Sequence, residues 1–205
     1  MILAVDIGNT NVTCGVYDGE KWVHILRLPS TLNFWNQFST LKEFDITECA
    51  ISSVVPNLMQ VYIESIRNLF QIDAHIITCQ NSGVELLVET PQDVGIDRIC
   101  NVAAAKLLVG TPAIVGDIGS ATNYDVVDEN GAFIGGAIAP GIKVAAHNLI
   151  EKAALLNETA FIVPESAVGK NTETNLQSGI MLGAIDVVDG MFTRIMGEMN
   201  WEKCN

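Results

Sequence analysis

Two short segments of the sequence place a carboxylate at the end of an apolar run and follow it directly with glycine and small hydrogen-bonding residues: Asp6-Ile7-Gly8-Asn9-Thr10-Asn11 and Asp117-Ile118-Gly119-Ser120. Glycine lets the backbone approach an anion closely, and Asn, Thr and main-chain amides can hold phosphate oxygens. A carboxylate at the strand end would hold a metal ion, or its water shell, beside those oxygens. A hairpin turn rich in Gly and Asn needs no ligand, so the first segment alone supports either reading. Its second copy favours the phosphate grip, because a triphosphate clamped between two domains calls for two such turns. A third segment, Gly95-Ile96-Asp97-Arg98, puts a carboxylate and a guanidinium at the expected start of a helix. There Asp97 can serve as general base for a substrate hydroxyl, with Arg98 as a fork for a substrate carboxylate. The same pair also suits a helix cap and a surface ion pair. Gly135-Gly136 and Pro140-Gly141 offer further close approach, or equally a bulge and a helix start.

The elements that must position these residues follow from periodicity. Runs at 2–7, 12–17 and 21–27 read as strands separated by the Gly8 to Asn11 turn and by Asp18-Gly19, a three-strand meander. A polar helical stretch is expected over 31–43, a strand over 48–54, a helix after Pro56, and a strand over 74–78. A helix over 96–109 follows, in which Ala103-Ala104-Ala105 permits close packing. Strands and helices alternating after a hairpin start indicate a mixed α/β sheet.

Val5-Asp6-Ile7-Gly8-Asn9 is echoed 111 positions later by Gly116-Asp117-Ile118-Gly119-Ser120, and each copy continues into a strand, a turn (Asp18-Gly19 or Asn130-Gly131) and a third strand (21–27 or 132–138). The simplest account is two related α/β domains, over 1–110 and 111–205, with their turns facing each other across a cleft.

Composition narrows the function classes. The 205 residues are 49% hydrophobic and 17% charged, as expected of a folded domain. Eleven basic against 24 acidic side chains give a net charge of −13, which disfavours nucleic acid and anionic membranes as partners. No apolar stretch approaches the roughly 20 residues of a spanning helix. With no basic leader before Ile2 to Val5, a cytoplasmic location is expected. Five cysteines without a C-x-x-C pair and three scattered histidines suggest neither a disulfide framework nor a zinc site.

The combination of 6–19 (DIGNTNVTCGVYDG), 53–56 (SVVP), 94–98 (VGIDR), 117–141 and 169–179 resembles the type III pantothenate kinases. These belong to the superfamily of actin-like ATPases and sugar kinases. The resemblance implies α/β architecture with two ribonuclease-H-like (actin-like) domains and mixed sheets. It also implies transfer of the ATP γ-phosphoryl group to the primary hydroxyl of pantothenate, the first step towards coenzyme A, with ATP used together with Mg2+. Asp6, Ile7, Gly8, Asn9, Thr10, Asn11, Val12 and Thr13 would contact the ATP phosphates, and Ser120 would take the place of an ATP-contacting Thr. Gly95, Ile96, Asp97 and Arg98 would hold pantothenate, with Asp97 as proton acceptor. Thr172 would add a substrate contact across a homodimer interface, and Asp117 would bind the monovalent cation, K+ or NH4+. The alternative is a non-catalytic nucleotide-sensing or regulatory relative that keeps the phosphate turns.

Three departures from the family pattern stand out. Ser120 keeps the hydroxyl of the usual Thr, Asn123 replaces a usual Thr, and Val88 stands where a substrate-contacting Tyr is common. After its meander the first half supplies two more strands, whereas the second half runs into a long apolar helix, expected over 173–199. The second domain is therefore expected to be C-terminally short, with little or no pantothenate phosphorylation by the chain itself, an uncovered helix face and a homodimer to cover it.

Overall fold

The computed structural model describes residues 1–153 and 155–205, which divide into two compact units, Met1–Ala104 and Ala105–Asn205. In the first unit, β1 (Ile2–Ile7), β2 (Asn11–Tyr17) and β3 (Trp22–Pro29) form the expected meander. Next come α1 (Trp35–Phe38), a 3-10 turn (Ser39–Glu43), β4 (Glu48–Ser53), α2 (Pro56–Phe70), β5 (Ala74–Ile76) and α3 (Ile96–Leu108). The last crosses the boundary between units. Sheet order is β3-β2-β1-β4-β5, with β1 antiparallel to β2 and parallel to β4.

Alternation along β1 buries Leu3, Val5 and Ile7 and turns Asp6 to the opposite, accessible face. Against the buried face, α2 presents Leu58, Tyr62 and Ile66 at one- and two-turn spacing. The Tyr62 ring stacks on Phe34 at 4.1 Å and meets the edge of Phe38 at 5.3 Å. Pro56 starts this helix, where a missing N–H costs nothing, and Gln71 ends it in the left-handed region at φ 60°.

Two expected elements are shorter than the sequence suggests. The helical stretch over 31–43 reduces to one turn of α-helix and a 3-10 turn, where the Ser39 and Thr40 hydroxyls donate to the Asn36 and Gln37 carbonyls and compete with a regular ladder. Strand β5 stops at Ile76 because Asn81 folds back on it. The Asn81 Oδ1 accepts from the Thr78 amide at 2.7 Å, and its Nδ2 donates to the Ile76 carbonyl.

In the second unit, β6 (Ala113–Ile118), β7 (Ala121–Val127) and β8 (Phe133–Pro140) form an antiparallel sheet in the order β6-β7-β8. They are followed by α4 (Ile142–Lys152), a helix of which the sequence reading caught only the start. Then come α5 (Thr172–Gln177), a π-helical turn (Ser178–Leu182) and α6 (Gly183–Met199). The expected single helix over 173–199 is thus one rod interrupted by a π turn. Its face is partly covered within its own unit. Phe192 packs edge-on to Tyr124 at 5.8 Å and lies against Gly116 so closely that a Cβ there would sit 3.0 Å from its ring.

The repeat extends to details no local motif carries. Both β2 and β7 bulge two residues before an aspartate, at Val16/Tyr17 and Val126/Val127. The Asp18 carboxylate accepts from the Glu20 and Lys21 amides, and the Asp128 carboxylate from the Asn130 and Ala132 amides. These amides hold Asp18 ionised below its usual range, Lys21 contributing most. Both third strands end at a proline, Pro29 and Pro140. Asn205 hydrogen-bonds to the outer edge of β6 through Pro112 and Ile114, which sets it beside Ala113 as Glu48 is set beside Ile2 in the first unit.

Candidate active site

The turn between β1 and β2 is closed by the Gly8 amide donating to the Asn11 carbonyl at 3.0 Å. It is also fastened from outside. Ser30, the residue after Pro29, donates its amide to the Thr10 carbonyl at 3.1 Å and its hydroxyl to the Gly8 carbonyl. Two carbonyls of the turn are thereby occupied, and Asn9 and Thr10 remain exposed. Ile7 and Val12 sit in the core, so their share in any ligand contact is through the main chain. Asp6 pairs with Thr13 on β2 and with Ser52 on β4, and the Ser52 hydroxyl donates to Asp6 Oδ1 at 2.8 Å.

The second turn has the same plan with one residue fewer between its strands. The Gly119 amide donates to the Ala121 carbonyl at 2.8 Å, and Gly141, the residue after Pro140, donates its amide to the Ser120 carbonyl at 3.0 Å. Ser120 is exposed, and Asp117 stands opposite Asn123 as Asp6 stands opposite Thr13. Asn123 therefore occupies a wall position of this turn and keeps a polar side chain there. Gly141 also opens α4, so that helix begins directly beneath the turn.

Gly95 immediately precedes α3, and its carbonyl accepts from the Ile99 amide. Asp97 lies in the first turn, with Oδ1 accepting from the Arg98 amide at 2.9 Å. The carboxylate thus makes the helix-start contact and is still only half-buried, as are Ile96 and Arg98. A Cβ at Gly95 would lie 2.5 Å from Asp97 Oδ1, so only glycine leaves that oxygen its position. One turn on, the Cys100 thiol lies beside Ser52 and within the electrostatic reach of Asp6 and Asp97. Burial, foremost, and the two carboxylate charges push the thiol's pKa up, against the opposing pull of the Ser52 hydroxyl. Cys14 and Cys49, buried in the sheet, are pushed up to about 12. None of the three is an activated nucleophile.

The first unit therefore gathers Asp6, Asp97 and their neighbours Ser52 and Cys100 into one polar cluster. Thr172 belongs to the second unit as the exposed first residue of α5. The cap there is made by its neighbours: Asn171 Oδ1 accepts from the Thr174 amide at 2.9 Å, so the Thr172 hydroxyl is not spent on capping. Beside the second turn lies a cavity of about 540 Å³ with a mainly apolar lining that includes Ile118, Tyr124, Ile142, Leu149 and Leu176. It offers shape rather than acid-base chemistry.

Sequence reasoning missed Ser30, Ser52 and Cys100, and it left Gly141 without a partner. For Ser30 and Gly141 a signal existed, since each follows the proline that ends a repeated third strand. Ser52 and Cys100 had none.

Among the described residues, no three His, Cys, Asp or Glu side chains converge as a metal cage. A carboxylate such as Asp6 suits a hard cation that takes most of its ligands from phosphate and water, which is how Mg2+ is commonly held in nucleotide sites. The residues present fit Mg2+ delivered with ATP. No helix among the described residues is long and apolar enough to cross a membrane.

Residues 2–194 match the family model for type III pantothenate kinase. The type III pantothenate kinase of Thermomicrobium roseum is 39% identical over 214 residues, covering 98% of this chain and 83% of that protein. The enzyme of the same name from Agathobacter rectalis is 39% identical over 210 residues, covering 97% and 81%. Among solved structures, a conserved protein of Campylobacter jejuni assigned to the Baf family of transcriptional activators superposes with TM-score 0.58 at 23% identity, covering 92% of this chain and 78% of that one. A Sinorhizobium meliloti protein assigned as a 2-dehydro-3-deoxygalactonokinase gives 0.52 at 9% identity, covering 93% and 81%. At these identities the two structures speak for the fold alone, an α/β fold with a mixed sheet and a second, antiparallel sheet.

Proposed function

Because the chain belongs to the type III pantothenate kinase family, which phosphorylates pantothenate with ATP in coenzyme A biosynthesis, we propose a division of that reaction among the residues described above. ATP-phosphate contacts fall to Asp6 to Thr13 in the first fastened hairpin turn and to Ser120 in the second. Gly95, Ile96, Asp97 and Arg98 hold pantothenate, and Thr172 adds a contact in a homodimer. Asp97 accepts the proton of the primary hydroxyl as its oxygen bonds to the γ-phosphorus, and the bond from that phosphorus to the β,γ-bridging oxygen breaks to release ADP. Arg98 offers the planar fork that a carboxylate takes.

The observation that carries this reading is the repetition of the turn and its fastening. Ser30 locks the first turn and Gly141 the second, each from the position after the proline of a third strand. A turn that is only a connection needs no such brace, whereas one that must present donors to a phosphate before it arrives benefits from rigidity. The chain has few basic side chains, so ATP must be neutralised by main-chain dipoles and cations more than by lysines. Mg2+ supplies charge neutralisation between the phosphates, and Asp6 is the residue of the first turn that would hold it or its water. We assign a monovalent cation, K+ or NH4+, to Asp117. The half-exposed apolar face of α4 and α6, with Val144, Leu149, Ile185 and Val187 reaching solvent, supports the dimer.

Radiolabelled ATP with and without pantothenate tests the reading. Labelled phosphopantothenate is the expected product. Nucleotide binding without any transfer would instead make this chain a nucleotide sensor that keeps the turns.

A further inference from the structure

The first unit contains a buried hydroxyl aimed at an exposed carboxylate. Asp6 and Ser52 are register partners on the parallel strands β1 and β4, so their side chains leave the sheet on the same face. Ser52 is only 7% exposed, and its hydroxyl donates to Asp6 Oδ1 at 2.8 Å. A buried serine can satisfy itself on a nearby carbonyl, as Ser65 does on Val61 at 2.8 Å. Ser52 instead gives its proton to a side chain that faces solvent.

That choice commits the serine. A hydroxyl has one proton, and here it goes to Asp6. The Cys100 thiol lies beside the same hydroxyl, one helical turn after Asp97 on α3.

We propose that Ser52 is a positioning residue for nucleotide binding: it fixes the Asp6 carboxylate in the rotamer that receives Mg-ATP at the first turn. The inference rests on the reading of that turn as a phosphate site. A carboxylate on an exposed strand end turns easily about its last bond, whose preference is broad. One charge-assisted hydrogen bond is enough to select an orientation. Ser52 does not touch the reacting atoms, so its loss acts on the nucleotide and leaves pantothenate recognition alone.

Mg-ATP affinity by calorimetry, together with separate KM values for ATP and pantothenate, tests this on Ser52→Ala, Ser52→Thr, Ser52→Cys and Asp6→Asn. Ser52→Ala is expected to weaken Mg-ATP binding and raise the ATP KM about tenfold, the scale of one hydrogen bond to a charged group, with the pantothenate KM unchanged. Ser52→Thr keeps the donor and should restore wild-type values. Should Ser52→Ala fail to fold, Ser52→Cys decides: a thiol of similar size donates only weakly, so Mg-ATP binding should weaken. Equal behaviour of Ser52→Thr and either Ser52→Ala or Ser52→Cys would overturn the positioning role. If Asp6→Asn weakens Mg-ATP binding and Ser52→Ala leaves it intact, the positioning role alone is overturned. Unchanged binding in Asp6→Asn would remove the phosphate site itself.

Discussion

The amide of Gly141 donates to the carbonyl of Ser120 at 3.0 Å, and a side chain on Gly141 would drive its Cβ into the Gly119 carbonyl. The first residue before α4 therefore sits directly under the second hairpin turn, and its backbone approaches too closely for any other residue type. Gly141→Ala must push the turn or the helix start aside. We expect a stability loss of about 1–3 kcal/mol, the usual cost of an overpacked contact, with weaker ATP binding. Urea unfolding and calorimetry check it, and wild-type behaviour in both would show that the turn has room to spare.

Asp97→Asn should abolish transfer and leave stability nearly unchanged. The amide oxygen of Asn can still accept from the Arg98 backbone at the helix start, as the Asp97 carboxylate does, but it cannot take a proton from a hydroxyl. Loss of a general base costs roughly 10²- to 10⁴-fold in rate. Comparable kcat in the variant would take the base role away from Asp97.

Arg98→Lys separates recognition from catalysis. A lysine supplies charge without the two-pronged geometry that matches a carboxylate. The pantothenate KM should rise by about tenfold or more, as expected for loss of about 1.4 kcal/mol in binding. An unchanged KM would exclude Arg98 from the substrate site.

Turnover should be faster in K+ or NH4+ than in Na+, and Asp117→Ala should lose that preference together with part of the ATP affinity. The reason is charge: a triphosphate beside Asp117 adds negative charge to a chain already at a net charge of −13, so a cation must offset it. Equal initial rates in matched Na+ and K+ buffers would falsify the assignment.

Alkaline pH should destabilise the first unit through its sheet cysteines. Burial raises Cys14 and Cys49 to about 12, above the ordinary thiol value of about 8.5. Between those limits the unfolded chain releases thiol protons that the folded chain retains, so stability is intact below the lower value and falls as pH rises towards the upper one. The slope is at most about 1.4 kcal/mol per pH unit for each thiol. Chemical denaturation from pH 8 to 10.5 should show the decline, and Cys14→Ala with Cys49→Ala should flatten it.

The sequence alone determined the local units. Alternation in β1 buries Leu3, Val5 and Ile7 and presents Asp6. The Gly8 and Gly119 turns follow each strand end, and the echo 111 positions on announces a second copy. Such features depend on neighbours a few residues away, so composition and spacing suffice to find them, and the family motifs at 94–98 and 117–141 are of this kind. Tertiary structure alone decided what meets these units. Ser52 reaches Asp6 across 46 residues of chain because β4 pairs parallel to β1 in one particular register, and Cys100 joins them from a helix that follows both. It likewise decided that Ser30 and Gly141 brace the turns, and that Asn81 ends β5 early. Parallel pairing and helix packing bring together residues whose separation in sequence carries no periodic signal. The hydrogen bonds that orient the candidate site therefore become readable only once the chain has folded.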